Sequence, residues 1–277
     1  MALLRFPEPF DFELSTVRFR RWGRDPANLW EDGALWRSVG GREVRIAAAD
    51  GGVDVEPHGA EIGATVRKLL GAEFDLDAFY AFAATEPILA GVVPAVRGLR
   101  PPLAPEPFES LVTSITAQQV SLFAAFAIRN RLIERFGERA ERAYAFPTRE
   151  RLALAREEEL VAVGFSHRKA EYVVALARSE LDLDALAALP DAEVKERLVA
   201  ERGIGEWTAD WFLARHLARP RAWPAGDLGL RKAAARFYEG EDVRALGARL
   251  DPFQNLAAHY LLVGLRYPAS FSAQGST

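Results

Sequence analysis

The sequence predicts an α+β protein, an N-terminal antiparallel sheet with helices followed by an all-helical domain. Three observations carry that expectation. Apolar and polar residues alternate from Phe10 in FDFELSTVRF and again around the pairs Gly40-Gly41 and Gly51-Gly52, a pattern of antiparallel hairpins. The run GLRPPLAPEP at 98–107 interrupts the chain, because proline lacks an amide donor and biases its predecessor away from helix. Beyond Phe108 nearly every segment has helical period, with short glycine or proline breaks. The expected organisation is an antiparallel α+β domain at 1–97, a Pro-rich linker at 98–107 and a helical domain at 108–277 with a hairpin at 202–206.

Taken in order, FDFELSTVRF reads as a strand, and ALWRSVGGREVRIAAADGGVDVEP reads as strands joined by the two glycine pairs. After Gly59 the spacing turns helical, so AEIGATVRKLLG and DLDAFYAFAATEP are expected as amphipathic helices lying on the sheet. The helical part follows as FESLVTSITAQQVSLFAAFAIRNRLIERFG, TRERLALAREEEL, SHRKAEYVVALARSEL, DAEVKERLVAE, EWTADWFLARHLA, LGLRKAAARFY and DPFQNLAAHYLLVGL. No segment of fixed length recurs three times, so a solenoid is not supported.

Composition narrows the function classes. With 277 residues, 49% apolar and 27% charged, the chain is long enough for two cores. No apolar run approaches the roughly 18 residues of a membrane span. MALLRFPEPFDFE gains proline and acids before a signal-peptide apolar region could form. The expectation is a cytoplasmic protein, nucleoid-associated if bacterial. There is no cysteine, hence no disulfide framework, thiolate nucleophile or cysteine-held metal. His58, His167, His216 and His259 are scattered, so no metal site is expected. A net charge of −4 excludes a cationic sheath for nucleic acid, but it allows a binder that grips phosphates through backbone amides and a few arginines.

The most informative stretch is RGIGEWTADWFLARHLARPRAWPAGDLGLRKA at 202–233. One helix should end near Glu201 and the next begin near Glu206. The intervening glycines, Gly203 and Gly205, permit backbone angles and close approaches that a Cβ prevents. Ile204 between them is an apolar plug. The free amides of the second helix, with those of Gly203 and Gly205, make an anion site that needs no lysine, and a DNA phosphate suits it. Read alone, however, the turn is better taken as a plain helical hairpin with a glycine cap. Asp227, in the Pro/Gly loop that follows, suits an N-cap. Beside an anion-binding hairpin it could also stabilise the positive charge on a deoxyribose whose glycosidic bond is breaking, or orient the attacking water. Sugar hydrolases ordinarily add a second carboxyl group as acid. A base made cationic by alkylation leaves without one.

This stretch resembles the signature of the helix-hairpin-helix superfamily of DNA glycosylases: a G-[IV]-G hairpin, a helix, and a Gly/Pro loop ending in the catalytic aspartate. PFESLVTSITAQQVSLFAA resembles the helix that opens the family's glycosylase domain, VGFSHRKAEYVVALA its second short turn, and LLGAEFDLDAFYAFAATEPILAGVVPAVRGLRP the helices leading in. The resemblance covers roughly 65–265, and the N-terminal hairpins suit the extra sheet domain of the 3-methyladenine DNA glycosylase II and 8-oxoguanine branches.

The resemblance implies a role for particular residues. Asp227 is the catalytic carboxylate. Bifunctional relatives place a lysine two residues after the second hairpin glycine. Here Trp207 stands there, and an indole cannot form a Schiff base. Trp207 and Trp211 fall where the alkylation branch places aromatics of its base pocket, with Phe253 and Tyr260 as further lining. The spacing of four also fits simple core packing of both tryptophans. Gln119 matches the side chain that fills the gap left by the flipped nucleotide, while Gln118 serves the local turn. Gly203, Ile204 and Gly205, with Arg202, Arg168 and Lys169, are the expected DNA contacts, and Asp210 is structural. The family usually has Leu-Pro where this chain has Glu201-Arg202, and Gly229 is a poor helix former.

The implied activity is a monofunctional glycosylase of base excision repair acting on alkylated bases such as 3-methyladenine, as a monomer on damaged double-stranded DNA. No cofactor is required, and a structural monovalent cation at the hairpin stays open. The alternatives are a glycosylase for another lesion such as 8-oxoguanine, and a non-enzymatic binder of bent DNA.

Overall fold

A computed structural model describes residues 2–266. The strands β1 (Ala2–Arg5), β2 (Leu29–Glu31), β3 (Ala34–Val39), β4 (Arg42–Ala49) and β5 (Gly52–Glu56) form one antiparallel sheet in the order β1-β5-β4-β3-β2. The glycine pairs stand at its turns. Val39 pairs with Arg42 across Gly40 and Gly41, whose φ values of 55° and 73° give the doubly left-handed turn that matches strand twist. Leu35 stands opposite Ile46 and Ile46 opposite Val55, and all three are buried.

FDFELSTVRF, expected as a strand, forms helix α1 (Phe12–Arg21) instead. Asp11 caps it, its carboxylate accepting the Leu14 amide at 2.9 Å. The buried positions Phe12, Ser15, Thr16 and Phe19 have helical spacing, and in so short a run that spacing coexists with alternation. Helix α2 (Ala60–Leu69) lays Ile62, Val66 and Leu69 against the sheet with Phe12 and Phe19. Helix α3 (Leu76–Ala83), also expected on the sheet, packs elsewhere. Its Phe79 and Tyr80, with Leu89 and Val92 of α4 (Pro87–Val92), share a core with Leu230, Leu246 and Leu261 from the last helices. The proline-rich run is a packed strap. The Ala104 amide donates to the Arg215 carbonyl at 2.8 Å, and buried Arg100 donates to the carbonyls of Phe74 at 2.7 Å and Pro7 at 2.9 Å.

The remaining helices are α5 (Pro107–Ala117), α6 (Leu122–Phe136), α7 (Arg149–Ala153), α8 (Glu157–Ala162), α9 (His167–Arg178), α10 (Asp191–Ala200), α11 (Glu206–Arg215), α12 (Leu228–Phe237), α13 (Val243–Arg249) and α14 (Gln254–Gly264). Leu111 and Ile115 of α5, Val173 of α9 and Phe212 of α11 belong to a second large core. No single helix among the described residues is long and apolar enough to cross a membrane.

Sheet and helices are joined by buried ions. Arg129 of α6 donates to Asp25 at 2.8 Å and to Glu109 of α5 at 2.9 Å. Arg37 of β3 pairs with the same Glu109 and donates to Asn28 at 2.7 Å. Asp25 also accepts from Asn28 at 3.1 Å. Burial alone would raise the Asp25 and Glu109 carboxyls. Arg129 beside Asp25, and Arg37 and Arg129 beside Glu109, outweigh it and hold both below their ordinary values.

Candidate active site

The hairpin is built by necessity at one glycine and by opportunity at the other. Gly203 has φ +86°, and a Cβ there would stand 2.1 Å from the Tyr172 ring of α9, so no other residue fits without displacing that ring. Gly205 is exposed, caps α11 and has nothing within 4 Å of the Cβ position. That leaves open space for another backbone or an anion. Among the described residues the amides of Gly205, Glu206 and Trp207 meet no acceptor, as expected of an uncapped helix start. Ile204 is buried in the helical core.

Asp227 follows in the loop between α11 and α12 and divides its two oxygens. Oδ1 accepts the Leu230 amide at 3.0 Å and caps α12, a contact worth about 1 kcal/mol. Oδ2 accepts two indole N–H groups, from Trp207 at 2.9 Å and Trp211 at 3.1 Å. A spacing of four puts both tryptophans on one face of α11, one turn apart, so both can reach the same oxygen. The carboxylate is thereby tied to the helix that begins at the hairpin, while remaining partly exposed. Gly229 leaves room here, since a Cβ would lie 2.8 Å from the Leu262 side chain and 3.0 Å from Oδ1 of Asp227, and both would have to shift to admit it.

The other expected residues divide in two. Gln119 is exposed at the end of α5 with φ +55°, beside exposed Val120, Leu122 and Phe123. Arg202 is exposed but engaged, pairing with Glu171 at 2.7 Å. Arg168 donates to the Tyr172 hydroxyl at 3.1 Å, and Lys169 donates to the Thr116 carbonyl at 2.9 Å, bracing α9 against α5. Three residues expected to line a base pocket occupy other places. Trp211 is 1% exposed, with the Arg215 guanidinium carbon 3.4 Å from its ring centre, so it offers no free face to a base. It orients Asp227 instead. Tyr260 is fully buried, bonded to the Leu99 carbonyl and the Tyr80 hydroxyl, both at 2.8 Å. Phe253 packs on Phe79 and Phe82. Both belong to the core shared with α3, because the aromatic side of α3 needs apolar partners there. Asp210 pairs with Lys195 at 2.7 Å, a structural contact.

Several residues that matter to the site escape a reading by motif. Gln118, expected to serve its local turn, instead donates from Nε2 to the Gly203 carbonyl at 2.9 Å and to Thr208 Oγ1 at 3.2 Å, locking the hairpin to the end of α5. Buried Asn255 donates to the carbonyls of Ala214 and Arg219, both at 3.0 Å, and so fixes the loop that carries Asp227. Arg215 and His259 contact the Trp211 ring, and Arg18 lies near enough to act on both. Their only signal in the sequence is that they are titratable side chains, spread over three distant segments.

The chain is similar to known proteins in sequence and in fold. Residues 112–245 match the HhH-GPD superfamily of base excision DNA repair proteins. A DNA-3-methyladenine glycosylase of Bacillus subtilis is 32% identical over 164 residues, 56% of this chain and 54% of that protein. DNA-3-methyladenine glycosylase 2 of Escherichia coli is 34% identical over 138 residues, 48% of this chain and 47% of that protein. The chain thus spans about half the length of these curated relatives. The solved structure of a 3-methyladenine DNA-glycosylase from Archaeoglobus fulgidus superposes with a TM-score of 0.87 at 27% identity, covering 96% of this chain and 99% of that one.

Proposed function

The chain belongs to the HhH-GPD superfamily of base excision DNA repair proteins, and from that premise we propose that it is a monofunctional DNA glycosylase. It hydrolyses the N-glycosidic bond of a flipped, damaged base and leaves an abasic site. Alkylated bases such as 3-methyladenine are the first substrates to consider, since its relatives are named for them. The observation that carries the reading is Asp227. It is a partly exposed carboxylate whose Oδ2 is aimed by two indoles that start one residue beyond the hairpin.

In this reading DNA phosphates sit against Gly205 and the unpaired amides at the start of α11, where the helix dipole favours negative charge. Gln119, exposed on its left-handed backbone, fills the space the flipped nucleotide leaves. As the glycosidic bond breaks, the fixed negative charge of Asp227 faces the developing oxocarbenium ion, and water adds to C1′. Trp207 stands where a lyase would need an amine, so strand cleavage through that position is not part of the reaction. The protein acts as a monomer on double-stranded DNA and needs no cofactor. A monovalent cation at the hairpin carbonyls would serve only the grip on the backbone.

The test is incubation of the protein with methylated duplex DNA, with chromatography of released bases and a gel for strand nicks. Free base with no enzyme-dependent nick supports the reading. Intact DNA overturns it, and amine-dependent nicking overturns the monofunctional part.

A further inference from the structure

Asp227 stands at a seam between two cores. The hairpin side belongs to one of them, where Ile204, Ala209, Trp211 and Phe212 pack with Leu111 and Ile115 of α5 and Val173 of α9. The helix that Asp227 caps belongs to the other, through Leu230, Ala233 and Ala234 beside Phe79 of α3, Leu89 of α4 and Leu261 of α14. What α12 turns outward is basic. Arg231, Lys232 and Arg236 are exposed, and the helix LGLRKAAARF holds no acid. Arg236 reaches the Leu265 carbonyl at 3.5 Å, whereas the Arg231 and Lys232 side chains make no hydrogen bond and no ion pair among the described residues. Arg231 lies one turn along the helix from Asp227, its amide donating to the Asp227 carbonyl at 2.9 Å. The Asp227 carboxylate is nevertheless occupied elsewhere, by the Leu230 amide and the two indoles. Cations nearer the hairpin are engaged, Arg202 with Glu171 and Lys169 with the Thr116 carbonyl. In a chain of net charge −4 the attraction for phosphate has to come from local groups, and two free cations one turn from the carboxylate are such a group.

We propose that Arg231 and Lys232 form a second grip on the DNA backbone, taking phosphates on the side of the damaged nucleotide away from those held at the hairpin. The proposal rests on the glycosylase reading, which puts the sugar of that nucleotide against Asp227, and it supplies a partner for a surface which that reading leaves unused. The hairpin offers backbone amides at the start of α11. Helix α12 offers side-chain cations one turn, about 5.4 Å, beyond the carboxylate. A nucleotide facing Asp227 therefore has an amide site and a cationic site on the two sides of the seam, each carried by a different core. Turning a nucleotide out of the stack strains the backbone on both sides of it, and a hold on one side alone lets the other side slide. Phosphate contacts carry no sequence information but fix register. The second grip thus sets where the damaged nucleotide stops, independently of which base it carries.

The experiment follows binding of a duplex with one tetrahydrofuran abasic analogue, by fluorescence anisotropy over a range of KCl concentrations. The proteins are the wild type, Arg231→Gln, Lys232→Gln, the double variant and Arg42→Gln, whose arginine is exposed on β4. Each phosphate contact contributes about 0.9 to the slope of log affinity against log salt, so the expected reduction is about one in each single variant, about two in the double variant and none in Arg42→Gln. An inactive fraction of protein shifts every point equally and leaves the slope unchanged, so instability of a variant cannot mimic the result. Moving the analogue stepwise towards either end of its strand locates the contacts. Wild-type affinity should fall as phosphates are removed on either side, and the double variant should lose that sensitivity on one side only. An unchanged slope in the double variant, an equal reduction in Arg42→Gln, or end effects in the double variant that match the wild type on both sides overturns the proposal. Base release from methylated duplex is measured alongside. Its absence together with the expected slopes overturns the glycosylase reading and leaves the second grip as a DNA contact. A wild type that binds no duplex overturns both.

Discussion

Two arginine clusters lie side by side where the sheet unit meets the helices, and they are built on opposite terms. In the first, Arg37 and Arg129 face Asp25, Glu109, Asn28 and Thr113, with Glu109 shared between both arginines. In the second, the Arg18 and Arg215 side chains make no hydrogen bond and no ion pair among the described residues, with only the more distant charges of Asp25 and Asp227 acting on them, and His259 Nε2 is equally unmatched. Arg18 and Arg129 are close enough to repel one another, so the two clusters share a region of the fold and differ in their counter-charges. The closed cluster holds two units together. The open one lies near Asp227, through Arg215 stacked on the indole that donates to it.

The largest difference should appear in stability. Glu109→Gln leaves buried Arg37 without a carboxylate and Arg129 with Asp25 alone, and is expected to cost about 3–5 kcal/mol, read from urea unfolding. Arg215→Gln removes a cation from a crowded group and should change stability by no more than about 1 kcal/mol. An equal loss in both variants would erase the distinction.

Acid separates the same regions. His216 is held at about 4 by burial and by Lys68, which lies 3.5 Å away, and His259 is depressed in the same sense. A base whose folded pKa lies below its unfolded value contributes stability that is complete above about 6.5 and falls as pH drops towards the folded value, because the unfolded chain binds the proton first. For His216 the loss by pH 4 is about 3 kcal/mol. Asp25 and Glu109 are depressed acids, so the stability of the closed cluster persists until the pH falls below about 4. Unfolding monitored from pH 7 to 3 should therefore weaken in two stages, and His216→Gln should flatten the first.

The smallest effect concerns aim. Trp211→Phe removes one of the two indole donors to Asp227 Oδ2 and is expected to slow turnover about tenfold, the equivalent of one hydrogen bond to a charged group. Unchanged turnover would return Trp211 to a purely packing role.

How much was legible in the sequence follows from how local each feature is. The hairpin and Asp227 lie within 26 residues and are fixed by glycine geometry, helix capping and a tryptophan pair at spacing four, all readable along the chain. The Gly40-Gly41 hairpin was legible for the same reason. Helix α1 was not, since alternation over ten residues fits two periods. Phe253 and Tyr260 show the limit differently. Their spacing says which face of α14 they share, but the occupant of that face is α3, more than 170 residues away in the chain. Trp211 stands where the pattern placed it, yet Arg215 covers its ring. Arg18 and His259 come together only through packing of the first and last helices.

The central claim, that Asp227 is a working carboxylate as well as a cap, is tested most directly by Asp227→Asn. Asparagine caps a helix about as well as aspartate, so the fold and the grip on DNA should persist while the charge is lost. The measurement is single-turnover base release from damaged duplex DNA alongside binding to the same duplex. The account predicts a fall in rate of about a hundredfold or more with binding held within about threefold. Base release at the wild-type rate would contradict it and leave Asp227 a cap alone.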